Sequence, residues 1–172
     1  MIDSTLEYLR GGVSSEAARP IDLASVIETI VDEHLDQGHK ISLTGLNAAP
    51  ILGRVLPLKR AFSNIIGNAV KYGASADVAI TEANGQVVVT VEDQGPGIPP
   101  AEIGRVFHPF VRLEKSRGRE TGGSGLGLTI AQAVAQSHEG SIALENRSEG
   151  GLRVIVSLPR LDRPTRSDAP RL

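Results

Sequence analysis

Apolar residues recur at three- and four-residue intervals in three stretches of the chain, and each such stretch predicts an amphipathic helix. In the first, Leu23, Val26, Ile27, Ile30, Val31 and Leu35 keep the spacing, Asp22 can cap the start and Gly38 follows the end. In the second, Leu58, Phe62, Ile65, Ile66, Ala69 and Val70 define the buried side, behind Pro57 as the opening residue. Residues 126–137 make the third, ended by Gly140. Apolar runs between turn residues predict strands. Residues 41–44 and 51–55, separated by Gly45, Asn47 and Pro50, read as a short strand pair feeding the second helix. Residues 77–81 and 87–92 flank Ala83-Asn84-Gly85, whose Asn-Gly step predicts a hairpin and a sheet that is at least partly antiparallel. Residues 141–145 and 152–158, on either side of Glu149-Gly150-Gly151, form a closing pair.

What lies between is less regular. Residues 4–10, with Leu6 and Leu9 on one side, read as the last turns of a helix stopped by Gly11-Gly12, followed by a polar linker to Pro20. Residues 96–100 break the regular pattern, and residues 101–106 fit one helical turn. Residues 107–124 show no clear period; inside a compact domain such an interval is usually functional or mobile. From Pro159 the chain is rich in Pro, Arg and Asp and reads as a disordered tail over 160–172. The expected organisation is therefore 1–20 as helix end and linker, 21–159 as one domain, and 160–172 as tail.

Composition narrows the partners. With 172 residues, 40% hydrophobic, the chain can bury one sizeable core. A net charge of -2 and 3% aromatic residues supply neither the basic stripe nor the stacking platforms of a nucleic-acid surface, so no nucleic acid is expected. Cysteine is absent, which removes disulfides and thiolate metal sites. No apolar run reaches the roughly 18 residues of a membrane span, and the start lacks a signal-peptide pattern, so no membrane contact is expected of this stretch.

Three places carry candidate chemistry. On the second helix, Asn64, Asn68, Lys71 and Tyr72 fall on one stripe. Amide oxygens suit a hard cation such as magnesium, which shares itself with substrate phosphates, and a lysine neutralises those phosphates. A solvated helix face would give the same spacing. At the end of the 87–92 strand, Asp93 can accept a hydrogen bond from an exocyclic amine, while Gly95 and Gly97 allow the backbone to approach a planar ring. A simple tight turn is the other reading. Gly122-Gly123-Ser124-Gly125-Leu126-Gly127-Leu128 leads into the third helix, where backbone N–H groups and the helix dipole favour an anion; a hinge is the alternative. Neither a dinucleotide fingerprint nor a P-loop fits these glycines.

Taken together, residues 21–159 resemble the ATP-binding catalytic domain of two-component sensor histidine kinases, in the wider superfamily of gyrase, heat-shock chaperone and mismatch-repair ATPases. Residues 64–72 match that family's asparagine box, 93–97 its first glycine box, 106–112 its phenylalanine box and 123–128 its second glycine box, in the family's order. The resemblance implies an α/β two-layer sandwich, a mixed sheet on helices with a mobile ATP lid. It implies ATP and magnesium as ligands, with Asn68 and Asn64 at the metal, Lys71 at phosphate, Tyr72 near adenine and Asp93 on the adenine amine. Asn64, Asn68 and Lys71 would carry the catalysis. Gly95, Gly97 and Ile98 would shape the base site. Phe107, Phe110 and Arg112 would belong to the lid, Lys115 and Arg117 would reach phosphates, and Gly123, Ser124, Gly125, Leu126, Gly127 and Leu128 would close the nucleotide site. The ATPase branches typically carry glutamate at position 64, a base that activates water; Asn64 cannot take that proton, so water attack should be slow.

The family's phosphoacceptor histidine does not match here. His34, His39, His108 and His138 all lack its acidic and Arg-x-Pro context; His34 reads as a helix-face residue and His138 as a favourable partial charge at a helix C-terminus. The implied function is transfer of the γ-phosphoryl to a histidine on a separate dimerisation domain, with a response regulator downstream. The chain would then be a cytoplasmic fragment of a larger kinase anchored in the inner membrane. A non-catalytic nucleotide-dependent interaction module and a protein-serine kinase of the anti-sigma type are the alternatives.

Overall fold

The computed structural model describes residues 16–111 and 125–161. The first element is a strand, β1 (Arg19–Asp22), which runs straight into helix α1 (Leu23–Asp36). Asp22 caps this helix as its spacing predicts: one carboxylate oxygen accepts from the N–H of Ala24 at 3.0 Å and from that of Ala49 at 2.8 Å. Strand β2 (Lys40–Gly45), strand β3 (Pro50–Gly53) and helix α2 (Val55–Gly73) follow. Then come the hairpin β4 (Ser75–Ala83) and β5 (Gln86–Glu92), helix α3 (Gly127–Ser137) and the closing strands β6 (Ser141–Asn146) and β7 (Leu152–Pro159).

Five strands form one mixed sheet in the order β2-β4-β5-β7-β6, parallel only between β2 and β4. Ala76, Val78 and Ile80 of β4, Val87, Val89 and Val91 of β5, and Val154, Val156 and Leu158 of β7 are buried at every second position. That face meets Ile27, Ile30 and Val31 of α1, Leu58, Phe62, Ile65, Ile66 and Ala69 of α2, and Ala131, Val134 and Ala135 of α3 in one continuous core. Full burial of a side chain such as Phe62 or Ile66 contributes about 1.5–3 kcal/mol, so the helical layer holds the sheet mainly through this surface. The result is the expected two-layer α/β sandwich with a mixed sheet. The Asn-Gly hairpin is also as expected, with Asn84 at φ 53° and Gly85 at φ 73° in the left-handed region that a two-residue turn needs.

One pairing differs. The strands over 40–45 and 50–53 do not pair with each other: β2 lies beside β4, with Lys40 opposite Ser75, and β3 lies antiparallel to β1, with Ile21 opposite Ile51. The link between them leaves the sheet, since the N–H of Leu46 donates to the Ile80 carbonyl and Ala49 is fully buried against the α1 cap. Strand β1 escapes sequence reading because Pro20 cannot donate to a ladder, as does Pro50 opposite Asp22. Residues on both sides of 21–159 also bond to this domain. Glu16 already bonds to the domain, while Arg160 donates its N–H to the Gly85 carbonyl and Leu161 to that of Pro50. Helix α2 starts at Val55 rather than Pro57; Pro57 sits in the first turn, where an N–H would have no intrahelical acceptor.

Candidate nucleotide site

Helix α2 organises the site because it is long enough to touch two loops. Near its middle, Asn64 and Asn68 are half-buried and face the start of α3: a Cβ on Gly127 would lie 3.5 Å from the Asn64 Cβ and 3.7 Å from the Asn68 Nδ2. At its end, Tyr72 and Gly73 meet the loop after β5. A Cβ on Gly73 would stand 2.6 Å from that of Asp93, and one on Gly95 2.7 Å from the Tyr72 carbonyl oxygen, so glycine is required for this close approach. Tyr72 is 43% exposed, and the Lys71 Nζ lies 5.0 Å from its ring centroid. Three of the four motif stretches thus converge around one helix.

Asp93 is buried and its orientation is fixed. Its Oδ1 accepts from the N–H of Gly95 at 2.8 Å and of Leu152 at 3.1 Å. Among the described residues both bonds end on that oxygen, so the lone pairs of Oδ2 are left for a further donor. Gly97 takes φ 71°, and Ile98 beyond it is buried.

At the other end of the site, Leu126 precedes α3 with no side-chain cap among the described residues, and no acidic residue occupies the first turn. The first intrahelical bond runs from the Ile130 N–H to the Leu126 carbonyl at 2.9 Å, so the amides of Gly127, Leu128 and Thr129 have no intrahelical acceptor. Such amides, together with the helix dipole, suit an anion. The expected lid is pinched at its base: Phe110 donates its N–H to the Gly125 carbonyl at 3.1 Å, and the Thr129 hydroxyl donates to the Phe107 carbonyl at 2.9 Å. Phe110 itself is exposed. Arg112, Lys115, Arg117, Gly123 and Ser124 lie outside the described residues.

Several structural partners of the site were not foreseen. The Glu16 carboxylate caps α2, accepting from Val55 and Leu56 N–H groups at 3.1 Å each, and its carbonyl accepts from the Arg54 Nε. His138 is not a charged group at the end of α3. Its Nδ1 stands 2.8 Å from the Val134 carbonyl oxygen and therefore carries the proton, while Nε2 accepts from the Arg54 N–H at 3.0 Å. Burial holds this imidazole below its ordinary range, against the Val134 bond and Glu16 and reinforced by Arg54. His34 faces His39, with their Nδ1 atoms 3.1 Å apart.

The donor chemistry suits magnesium: two amide oxygens are hard, neutral ligands of the kind that leave room for waters and phosphate oxygens. No helix among the described residues is long and apolar enough to cross a membrane.

Comparison with known proteins identifies the family and the fold. Residues 53–162 match the family model described as histidine kinase-, DNA gyrase B- and HSP90-like ATPase. The sensor histidine kinase GtrS of Pseudomonas aeruginosa is 37% identical over 161 residues, a match covering 94% of this chain and 33% of GtrS. The chain thus spans about a third of that relative. Among solved structures, the mycobacterial sensor histidine kinase MprB superposes with a TM-score of 0.73 at 27% identity, covering 84% of this chain and 98% of that one. The ATP-binding domain of PrrB from Mycobacterium tuberculosis gives 0.70 at 26% identity, covering 86% and 100%. With the family model covering well over half its length, the chain belongs to the family of histidine kinase-, DNA gyrase B- and HSP90-like ATPases.

Proposed function

We propose that this chain is the catalytic domain of a sensor histidine kinase, which binds magnesium-ATP and presents the γ-phosphoryl to a histidine on a separate dimerisation domain. The observation that carries the reading is the placement of α2, which sets Asn64 and Asn68 against the start of α3 and Tyr72-Gly73 against Asp93. A nucleotide laid along this helix has its base at Asp93 and its phosphates at Gly127 and Leu128. The Oδ2 of Asp93 accepts the adenine amine, and the amides at the start of α3 receive the phosphates. Lys71 lies on the same helix and contributes positive charge. Asn64 and Asn68 would hold magnesium, which when bound neutralises phosphate charge and orients the transferring group.

Asn64, unlike a glutamate at the same position, cannot take a proton from water, so hydrolysis is disfavoured. A neutral imidazole nitrogen is already a nucleophile, and its attack requires positioning and charge stabilisation more than a base. The parent protein is proposed to act on the cytoplasmic side of an inner membrane and to pass its phosphoryl group to a response regulator, in keeping with the sensor kinases among its relatives. The test is titration calorimetry followed by incubation with γ-labelled ATP and a cognate dimerisation domain. Magnesium-dependent ATP binding and acid-labile label on the added domain are expected; label on a serine of a partner would select the anti-sigma reading.

A further inference from the structure

The loop that carries Asp93 is held from behind by residues that none of the four motifs contains. Asn146, the last residue of β6, devotes its whole side-chain amide to Ile98: Oδ1 accepts from the Ile98 N–H at 2.8 Å and Nδ2 donates to the Ile98 carbonyl at 2.6 Å. One side chain thereby satisfies both backbone groups of a buried residue that lies outside the sheet. Its fit is close, since a Cβ on Gly97 would stand 2.5 Å from the Asn146 Oδ1. Arg147 holds the other end. Its Nη1 donates to the Asp93 carbonyl at 2.8 Å, and its Nε pairs with the Glu92 carboxylate at 3.2 Å. The β6–β7 turn completes the frame: Arg147 donates its N–H to the Gly151 carbonyl at 3.0 Å, and Leu152 donates to Asp93 Oδ1.

We propose that Asn146 and Arg147 are positioning residues for base recognition, fixing the Asp93–Ile98 loop against Tyr72 and Gly73 so that Asp93 selects an adenine amine over a guanine carbonyl. The inference rests on the nucleotide reading above. A base contacts this loop at its front and the Asn146–Arg147 pair grips its back, so the pair acts through Asp93 and not on the nucleotide. Loosening the grip lets the carboxylate relax toward either base. It leaves the phosphate end, where Asn64, Asn68 and α3 meet, as it was.

The experiment measures ATP and GTP affinity by titration calorimetry, and phosphoryl transfer to an added dimerisation domain, for wild type, Asn146→Ala, Asn146→Asp, Arg147→Ala and Asp93→Asn. Asn146→Asp preserves shape while removing the donor to Ile98, and so tests the grip without opening a cavity. Folding is checked by circular dichroism and amide exchange. Both Asn146 variants and Arg147→Ala should weaken ATP binding about five- to tenfold and narrow the ATP-over-GTP preference, with KM raised and kcat at saturating ATP near wild type. Wild-type affinity and preference in folded Asn146→Asp and Arg147→Ala, with Asp93→Asn impaired, would overturn the positioning role alone. Undiminished ATP binding in Asp93→Asn would overturn the nucleotide reading and this proposal with it.

Discussion

A carboxylate proposed to recognise an amine needs one oxygen anchored and the other open to a donor, and the bonds of Asp93 are compatible with that role. Its Oδ1 takes two backbone N–H groups. In Asp93→Asn one side of the group becomes an NH2, which either faces the adenine amine or clashes with those backbone donors, removing about 1.5–3 kcal/mol of charge-assisted bonding. Calorimetry should then show ATP affinity reduced about tenfold or more. His138 makes a prediction of a different kind. Its folded pKa is lowered, so the unfolded chain binds more protons over the interval between the two values. The stabilisation it provides is complete above the ordinary histidine value of about 6.5 and is lost as pH falls through the window below it. His34 is shifted the same way, by burial and by His39 against Glu33, and adds slope of the same sign. Urea unfolding at about pH 7.5 and 5.5 should show lower stability in acid, with a shallower dependence in His138→Gln; identical slopes would contradict the fold's holding His138 neutral. Asn64, Asn68 and Asp93 are legible in the sequence because a helix stripe and a strand end are local patterns. Asn146, Arg147 and His138 are not, because their bonds reach 48, 54 and 84 residues along the chain.

Among the elements, α2 is the one whose position decides the site, and its first turn is satisfied from outside. Glu16 takes the N–H groups of Val55 and Leu56, Pro57 has none to place, and Leu58 begins the helical ladder on the Arg54 carbonyl. Glu16→Ala should therefore lower stability by about 1–2 kcal/mol, read as a shift of the urea midpoint at constant m-value. No change would mean that Arg54 and His138 hold this end unaided. At the far end of the helix, Gly73→Ala must displace Asp93 or the helix itself, because the added methyl would lie 2.8 Å from the Gln94 nitrogen. ATP affinity should drop even where the fold survives, measured on protein whose thermal transition remains cooperative. Periodicity disclosed α1, α2 and α3, and the Asn-Gly turn disclosed β4–β5. The β2–β3 pairing failed because two short strands near in sequence need not be neighbours, and the prolines of β1 and β3 hid their ladder.

Across the whole molecule, a single apolar layer joins three helices to one face of the sheet, while the site lies along α2 between two loops. The two-layer architecture is what the resemblance of the four motifs implies, whereas the strand order β2-β4-β5-β7-β6 depends on long-range pairing that no local pattern encodes. The proposed function has this arrangement deliver a phosphoryl group to an imidazole and not to water. It turns on Asn64, an amide where a base would stand. The decisive measurement is the partition of γ-labelled phosphate between free phosphate and phosphohistidine, for wild type and Asn64→Glu, with and without a histidine-bearing dimerisation domain. Wild type should release little free phosphate and form phosphohistidine only with that domain, while Asn64→Glu should release more. Rapid phosphate release by wild type alone, abolished in Asn64→Ala, would contradict transfer to histidine and make the domain an ATPase.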